Sequence, residues 1–302
     1  MKKEAEIKSP LRYPGGKSRA CGRLYGLRPE AFDEYREPFV GGGSFFLYLQ
    51  QRHPHLKSWI NDANPEVYLF WKMARDDSEG LAWAVRLLKA GTDDGRALHK
   101  EMRDANVNVL TDMERAVRFF VLNRITFSGV AESGGYSGDA FHNRFTESSI
   151  DRVARLGEVL EGVKVTCLDY SEAMSGGDEH IFTFLDPPYL TTTDSKLYGK
   201  EGVLHTGFDH ARLVSAVEAC KHSVLITYDD AAEINEMYKK FNIRRFDLQY
   251  GMNNVNKTTA KKGREVFISN YQLQDNCRTR TMTNEARHIR TTSNHVRPGE
   301  IT

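Results

Sequence analysis

The sequence predicts an α/β fold in which a parallel sheet is covered by helices on both faces and carries a mainly helical insert. Three observations predict it. Short apolar runs alternate with stretches of helical periodicity, as in chains that build parallel sheets. One run, "YREPFVGGGSFFLYL", passes from an extended start through three glycines into an apolar, helix-like stretch. Another, "HIFTFLDPPYL", is an apolar run that stops at an acid and two prolines. Proline cannot continue a central strand, so the chain must leave the sheet there.

In chain order, strands are expected at residues 35–40, 57–62, 163–169, 181–185, 223–229 and 264–271. Helical periodicity separates several of them, at 211–220 and 234–241. Between about 74 and 160 the chain turns charge-rich, with helices expected at 81–89, 96–104 and 113–122. The loop "FSGVAESGGYSGDAFHNRF" follows. A helical insert at 74–159 fits this change of character, and so do helices that simply cover the sheet. The main domain would then comprise 8–73 and 160–271. The tail, 272–302, is polar and carries five arginines against three acids, which predicts disorder or loose packing, with a weak nucleic-acid contact by its arginines as the less favoured reading.

The 302 residues hold one large domain or a domain with an insertion, and 40% hydrophobic with 27% charged residues is ordinary for a soluble enzyme. No apolar run is long enough to span a bilayer, and the charged N-terminus does not read as a signal peptide. Cys21, Cys167, Cys220 and Cys277 are scattered without a CxxC pair, so neither a zinc site nor a disulfide framework is expected. Reducing cytosol is the default compartment. A formal net charge of +1 leaves any nucleic-acid partner to local charge distribution.

"LRYPGGKS", residues 11–18, ends like a phosphate-binding loop, but Leu11 stands where that pattern needs glycine. A surface turn at Pro14, Gly15 and Gly16 is the plain reading. "FVGGGSFF" lets backbone approach a ligand closely, though Phe46 occupies the third glycine position of the dinucleotide fingerprint. Asp62 follows at the spacing of a carboxylate that accepts from ribose hydroxyls. Asp169 and Asp186 also end apolar strands, at the edge where such folds bind ligands. The sharpest signal is "DPPY", Asp186 to Tyr189. The Asp186 carboxylate and the Pro187 carbonyl are acceptors. Pro187 and Pro188 lack N–H donors, and Tyr189 offers a ring face. An acceptor pair beside an aromatic ring suits a planar group bearing an NH2.

With these motifs in order, the chain resembles the Dam-type (D12 class, alpha group) DNA adenine-N6 methyltransferases. "RYPGGK" resembles the family's N-terminal motif, "EPFVGGGSFF" its cofactor loop, "INDAN" its ribose-binding acid and "DPPY" its catalytic tetrapeptide. "LNRITFSGV" is similar to the segment entering its target-recognition region, and "GREVFISNY" to its final strand. The resemblance implies a Rossmann-like S-adenosylmethionine-dependent sheet with a helical target-recognition insert. It implies methyl transfer to N6 of an adenine flipped out of duplex DNA, with no metal. Asp186 and the Pro187 carbonyl would hold the two N6 hydrogens, and Tyr189 would stack on the base.

By the same match, Tyr13 and Lys17 would line the cofactor site, with Lys17 on the cofactor's carboxylate. Phe39 and Gly41 would border its methionine portion, Asp62 its ribose and Asp169 its adenine. Tyr13 stands where the best-known relatives have tryptophan. Phe127 and Ser128 stand for a tyrosine and an asparagine that wedge into DNA. Glu132 falls near a guanine-reading arginine, and an acid cannot make that bidentate contact, so a site other than GATC is expected. Candidate DNA contacts are Arg12, Arg124, Phe127, His142, Asn143 and Arg144. A cognate restriction endonuclease is a candidate partner, and the cytoplasm of a bacterial or phage-infected cell the expected setting. Alternatives are methylation of cytosine N4 or RNA adenine, and a DNA-binding protein on an inactive scaffold. An oxidoreductase would leave DPPY without a role.

Overall fold

A computed structural model of the chain describes residues 5–131, 133–190, 207–248 and 263–274. Its strands are β1 (Glu34–Glu37), β2 (Lys57–Asn61), β3 (Lys164–Thr166), β4 (Ile181–Leu185), β5 (Ser223–Asp229), β6 (Asn242–Leu248) and β7 (Gly263–Ser269). They form a seven-stranded sheet in the order β3-β2-β1-β4-β5-β7-β6. Neighbours from β3 through β5 pair in parallel, with Glu34 opposite both Lys57 and Ile181. β7 runs antiparallel to β5 and to β6, so the sheet is mixed where the sequence predicts a parallel one. β6 was not foreseen. Consecutive Arg244 and Arg245 break the apolar alternation, which an edge strand tolerates because one side faces solvent.

The helices are α1 (Cys21–Leu27), α2 (Ser44–Gln50), α3 (Pro65–Asp76), α4 (Ser78–Ala90), α5 (Gly95–Asp104), α6 (Asp112–Ile125), α7 (Gly138–Asn143), α8 (Glu147–Ala154), α9 (Gly157–Leu160), α10 (Tyr170–Ala173), α11 (His210–Ala219) and α12 (Ala232–Met237). Local chemistry starts several of them. Asn64 accepts from the Glu66 amide ahead of α3, with Pro65 at the first helical position. Asp77 and Asp94 cap α4 and α5, and Thr111 with Glu114 forms a capping box on α6. α12 begins and ends earlier than its periodicity suggests, because 238–240 turn toward β6.

Strand alternation divides the core between the two faces. Phe182, Phe184, Leu225 and Phe267 join the larger cluster, with α1, α2, α3, α4, α6 and α8. Leu185, Val224, Ile226 and Ile268 join the other, with α10, α11 and α12. α4 and α6 lie on α3, and α3 in turn lies on β3, so much of the helical segment forms a layer beyond the one touching the sheet. Among the described residues no helix is long and apolar enough to cross a membrane. Most of the 272–302 tail lies outside the described residues.

From β1 the strand order runs outward through β2 to β3, then reverses to β4 on the other side of β1. That reversal opens a crevice at the carboxyl ends of β1 and β4, the place where doubly wound sheets bind ligands.

Candidate active site

The crevice holds a cavity of about 460 Å³, lined by residues 13–17, 37–45, 62–64, 169–170, 184, 186–189, 207–209 and 212. That volume lies within the range of small-molecule and cofactor sites. Every residue the sequence assigned to cofactor or catalysis lines it: Tyr13, Lys17, Phe39, Gly41, Asp62, Asp169 and the tetrapeptide Asp186 to Tyr189.

Three glycines follow Val40, where β1 hands over to α2. Gly41 has φ 45°, and a Cβ there would stand 2.7 Å from Tyr13 Cε1. The ring of Tyr13 can lie on this loop only because glycine is there. The Gly41 amide donates to Asp62 Oδ2 at 2.9 Å and the Asn64 amide to Asp62 Oδ1 at 2.9 Å. Burial pushes the Asp62 carboxyl up to about 6 against the pull of these two amides. Ionised, it keeps lone pairs for a ligand's hydroxyls.

At the other end of the cavity stand three rings. Phe39 lies 5.3 Å from Tyr170 and 5.8 Å from Phe208, and Tyr170 lies 5.8 Å from Phe208. The sequence reading grouped Phe39 with Gly41; its ring instead belongs to this wall, beside Asp169. Asp169 accepts a two-pronged contact from Arg212, at 2.8 and 2.9 Å, and caps α10 through the Ser171 amide. The Arg212 bond above all holds its carboxyl down at about 2.

The tetrapeptide leaves β4 beside the glycine loop. Thr227 donates to Asp186 Oδ1 at 2.7 Å. Lys17 Nζ lies 2.8 Å from each oxygen of Asp186 and donates to the Gly15 carbonyl at 2.7 Å. Lys17 is 5% exposed, and its ammonium sits 4.9 Å from the centre of the Tyr189 ring. Within the protein the partner of Lys17 is the carboxylate of DPPY, a contact the sequence did not suggest. The plain surface turn is excluded, because the turn at 13–16, closed by Gly16 N–H to Tyr13 O at 3.0 Å, delivers a buried cation.

Sequence reasoning missed four further groups. Glu37 ends β1, is 3% exposed and lines the cavity. It accepts from the Tyr35 hydroxyl, and burial pushes its carboxyl up to about 8. Glu265 on β7 is 1% exposed beside Tyr189, and burial pushes its carboxyl up to about 7. Phe208 and Arg212 complete the aromatic end. An acid before proline, or one inside a strand, carries no signal of its own in a single sequence.

The expected DNA contacts fall into two groups. Phe127 is 63% exposed, on a short 3-10 turn, Phe127–Gly129, that follows α6. His142, Asn143 and Arg144 are exposed at the end of α7. Arg12 is half-buried and donates to the Thr126 carbonyl at 2.9 Å. Arg124 does not belong with them. It is 5% exposed and donates to the carbonyls of Arg144 (2.8 Å from Nε) and Pro10 (3.0 Å). Burial, then the neighbouring Arg152, Arg12 and Arg144, lowers its pKa to about 9. It braces the fold, since a guanidinium is buried where carbonyls can absorb its donors. Glu132 lies outside the described residues.

A cofactor-sized crevice at the switch point of a doubly wound sheet, with an acid-proline-proline-tyrosine turn on its rim, defines a group-transfer enzyme acting on a planar amino group. More specifically, the chain belongs to the D12 class N6 adenine-specific DNA methyltransferases, whose family model matches residues 13–252. It is an adenine-specific DNA methyltransferase. Among its relatives is a type II methyltransferase of Lactococcus lactis subsp. cremoris, 23% identical over 291 residues, covering 90% of this chain and 98% of that one. Another, of Methanocaldococcus jannaschii, is also a type II methyltransferase, 27% identical over 207 residues, covering 61% and 70%. A DNA adenine methylase of Vibrio cholerae is 24% identical over 276 residues, covering 87% and 92%. The comparisons lend no support to cytosine, RNA or non-catalytic alternatives.

Proposed function

We propose that the chain binds S-adenosylmethionine in the crevice and methylates N6 of an adenine rotated out of duplex DNA, at a specific sequence. The observation that carries this reading is the Asp186 carboxylate, fixed by Lys17 and Thr227 at the mouth of a glycine-floored cavity. The cavity suits the cofactor. Its glycine loop holds the Tyr13 ring against the backbone at the cavity wall, Asp62 would accept from hydroxyl groups, and the three-ring wall would take a purine. When bound, S-adenosylmethionine supplies an already activated methyl group.

The protein's part is position and electrostatics. The Asp186 carboxylate and the Pro187 carbonyl accept the two N6 hydrogens and turn the nitrogen lone pair toward the cavity. Pro188 adds no donor that would compete for those acceptors. Tyr189 offers its ring to the base, and Asp186 takes up the proton the amine must lose. Lys17 orients Asp186 from the buried side. Phe127 fills the stack near the departed base, and Arg12, His142, Asn143 and Arg144 contact the duplex around it. The segment 74–159 is the target-recognition insert on a catalytic body of 8–73 and 160–271. The setting is the cytoplasm, and the type II relatives make a cognate restriction endonuclease a candidate partner.

The test is to incubate the protein with methyl-labelled S-adenosylmethionine and mixed duplex DNA, then digest to nucleosides. Label in N6-methyladenine is expected. Label in N4-methylcytosine, or in RNA alone, overturns the reading.

A further inference from the structure

Asn123, on the last turn of α6, is 1% exposed. Its Oδ1 accepts from the Arg12 amide at 2.8 Å, and its Nδ2 donates to the Arg12 carbonyl at 2.7 Å and to the Gly129 carbonyl at 2.9 Å. One side-chain amide therefore holds both backbone groups of Arg12 together with the carbonyl that closes the Phe127–Gly129 turn. Both of its N–H donors are used.

The surroundings tighten this junction. A Cβ on Gly129 would stand 2.2 Å from the Arg12 carbonyl oxygen, so turn and strap meet backbone to backbone. Ser128 has φ 55°, the one non-glycine residue in the left-handed region among those described. Such a conformation persists only where neighbours hold it. Arg152 donates to the Ser9 carbonyl and Arg124 to the Pro10 carbonyl, each at 3.0 Å. Beyond Arg12, the ring of Tyr13 rests on Gly41 and Gly42, and Lys17 reaches Asp186. An unbroken series of contacts thus runs from exposed Phe127 through Asn123 and the strap at 9–17 to the glycine floor and the catalytic carboxylate.

We propose that Asn123 is a positioning residue that couples seating of DNA on the Phe127 turn to the setting of Tyr13 and Lys17 at the cofactor and at Asp186. The inference rests on the reading of Phe127 as a DNA contact and of the crevice as the cofactor site. Its consequence is thermodynamic. DNA and cofactor raise each other's affinity by the same factor, and that factor passes through one amide.

The experiment measures S-adenosylhomocysteine binding by calorimetry, with and without mixed-sequence duplex DNA. Wild-type protein is expected to bind it at least about fivefold tighter with DNA, the lower end of ordinary coupling. Asn123→Asp keeps the acceptor and loses both donors. It is expected to bind each ligand alone within about twofold of wild type, while the coupling factor falls to about 1 and kcat drops with KM for DNA unchanged. A folded variant that keeps the wild-type coupling factor overturns the proposal, as does a wild-type protein without coupling. Should Asn123→Asp fail to fold, the exposed Phe127→Ala gives the same reading: lost coupling supports the proposal and retained coupling overturns it. Wild-type protein that does not bind S-adenosylhomocysteine under either condition overturns the cofactor assignment itself, a result distinct from binding without coupling.

Discussion

Glu37→Gln should stabilise the protein, and more so as pH rises. Glu37 is 3% exposed at the end of β1, and burial raises its carboxyl from 4.5 to about 8. Below pH 4.5 the group is protonated both folded and unfolded and contributes no pH dependence. Between 4.5 and 8 the folded form holds a proton that the unfolded form has released, so stability falls as pH rises. Over 3.5 units at about 1.36 kcal/mol each, less the part lost because the folded group is itself half ionised at pH 8, the loss reaches roughly 4 kcal/mol there. Glutamine keeps an acceptor for the Tyr35 hydroxyl and does not titrate. Asp62 and Glu265 are raised in the same direction, but they titrate alike in both proteins and cancel in the comparison. The assay is urea unfolding of both proteins at pH 5 and pH 8, followed by circular dichroism. The stability gap between variant and wild type should widen by roughly 3 kcal/mol between the two pH values. A gap that stays constant would refute the burial of a protonated carboxyl beside the cofactor cavity.

Three further outcomes follow from the geometry. Asp62→Asn should weaken S-adenosylmethionine binding about tenfold, the scale of one hydrogen bond to a charged group. Because the Asp62 carboxyl is raised to about 6, wild-type affinity should fall as pH drops through that value while the variant's stays flat in calorimetric titrations. Gly41→Ala forces a side chain into φ 45° at about 1–2 kcal/mol and drives its Cβ against the Tyr13 ring, so cofactor binding should weaken more than DNA binding. Arg124→Ala should destabilise by about 3 kcal/mol by stranding the Pro10 and Arg144 carbonyls, and leave the salt dependence of DNA binding unchanged. Arg144→Ala should do the reverse, lowering the salt slope by about 1 with stability intact. Filter binding at several salt concentrations separates the last two.

What the sequence disclosed was whatever is written contiguously. "DPPY" could be read because two prolines after an apolar run leave the backbone a single course. "EPFVGGGSFF" was legible because glycines between a strand and a helix mark close approach. The partner of Lys17 was not, since 169 residues separate it from Asp186. Arg124 misled because solvation is the usual fate of arginine, and only the folded chain brings the Pro10 and Arg144 carbonyls to it. Glu37 and Glu265 stand inside strands as ordinary acids; their burial is a property of the sheet's two faces. The strand β7 was legible but its antiparallel direction was not, because an apolar run reads the same in either direction.

The pairing of Lys17 with Asp186 also sets an order of events in the life of each molecule. A ribosome adding roughly 5–20 residues per second makes Lys17 about 10–30 s before Asp186 exists, and longer before β7 can dock. The Tyr271 hydroxyl, which donates to the Leu27 carbonyl across 244 residues, then ties the segment after β7 to the end of α1. The nascent chain therefore emerges unarmed, and its capacity to mark DNA is acquired only once β7 has been made.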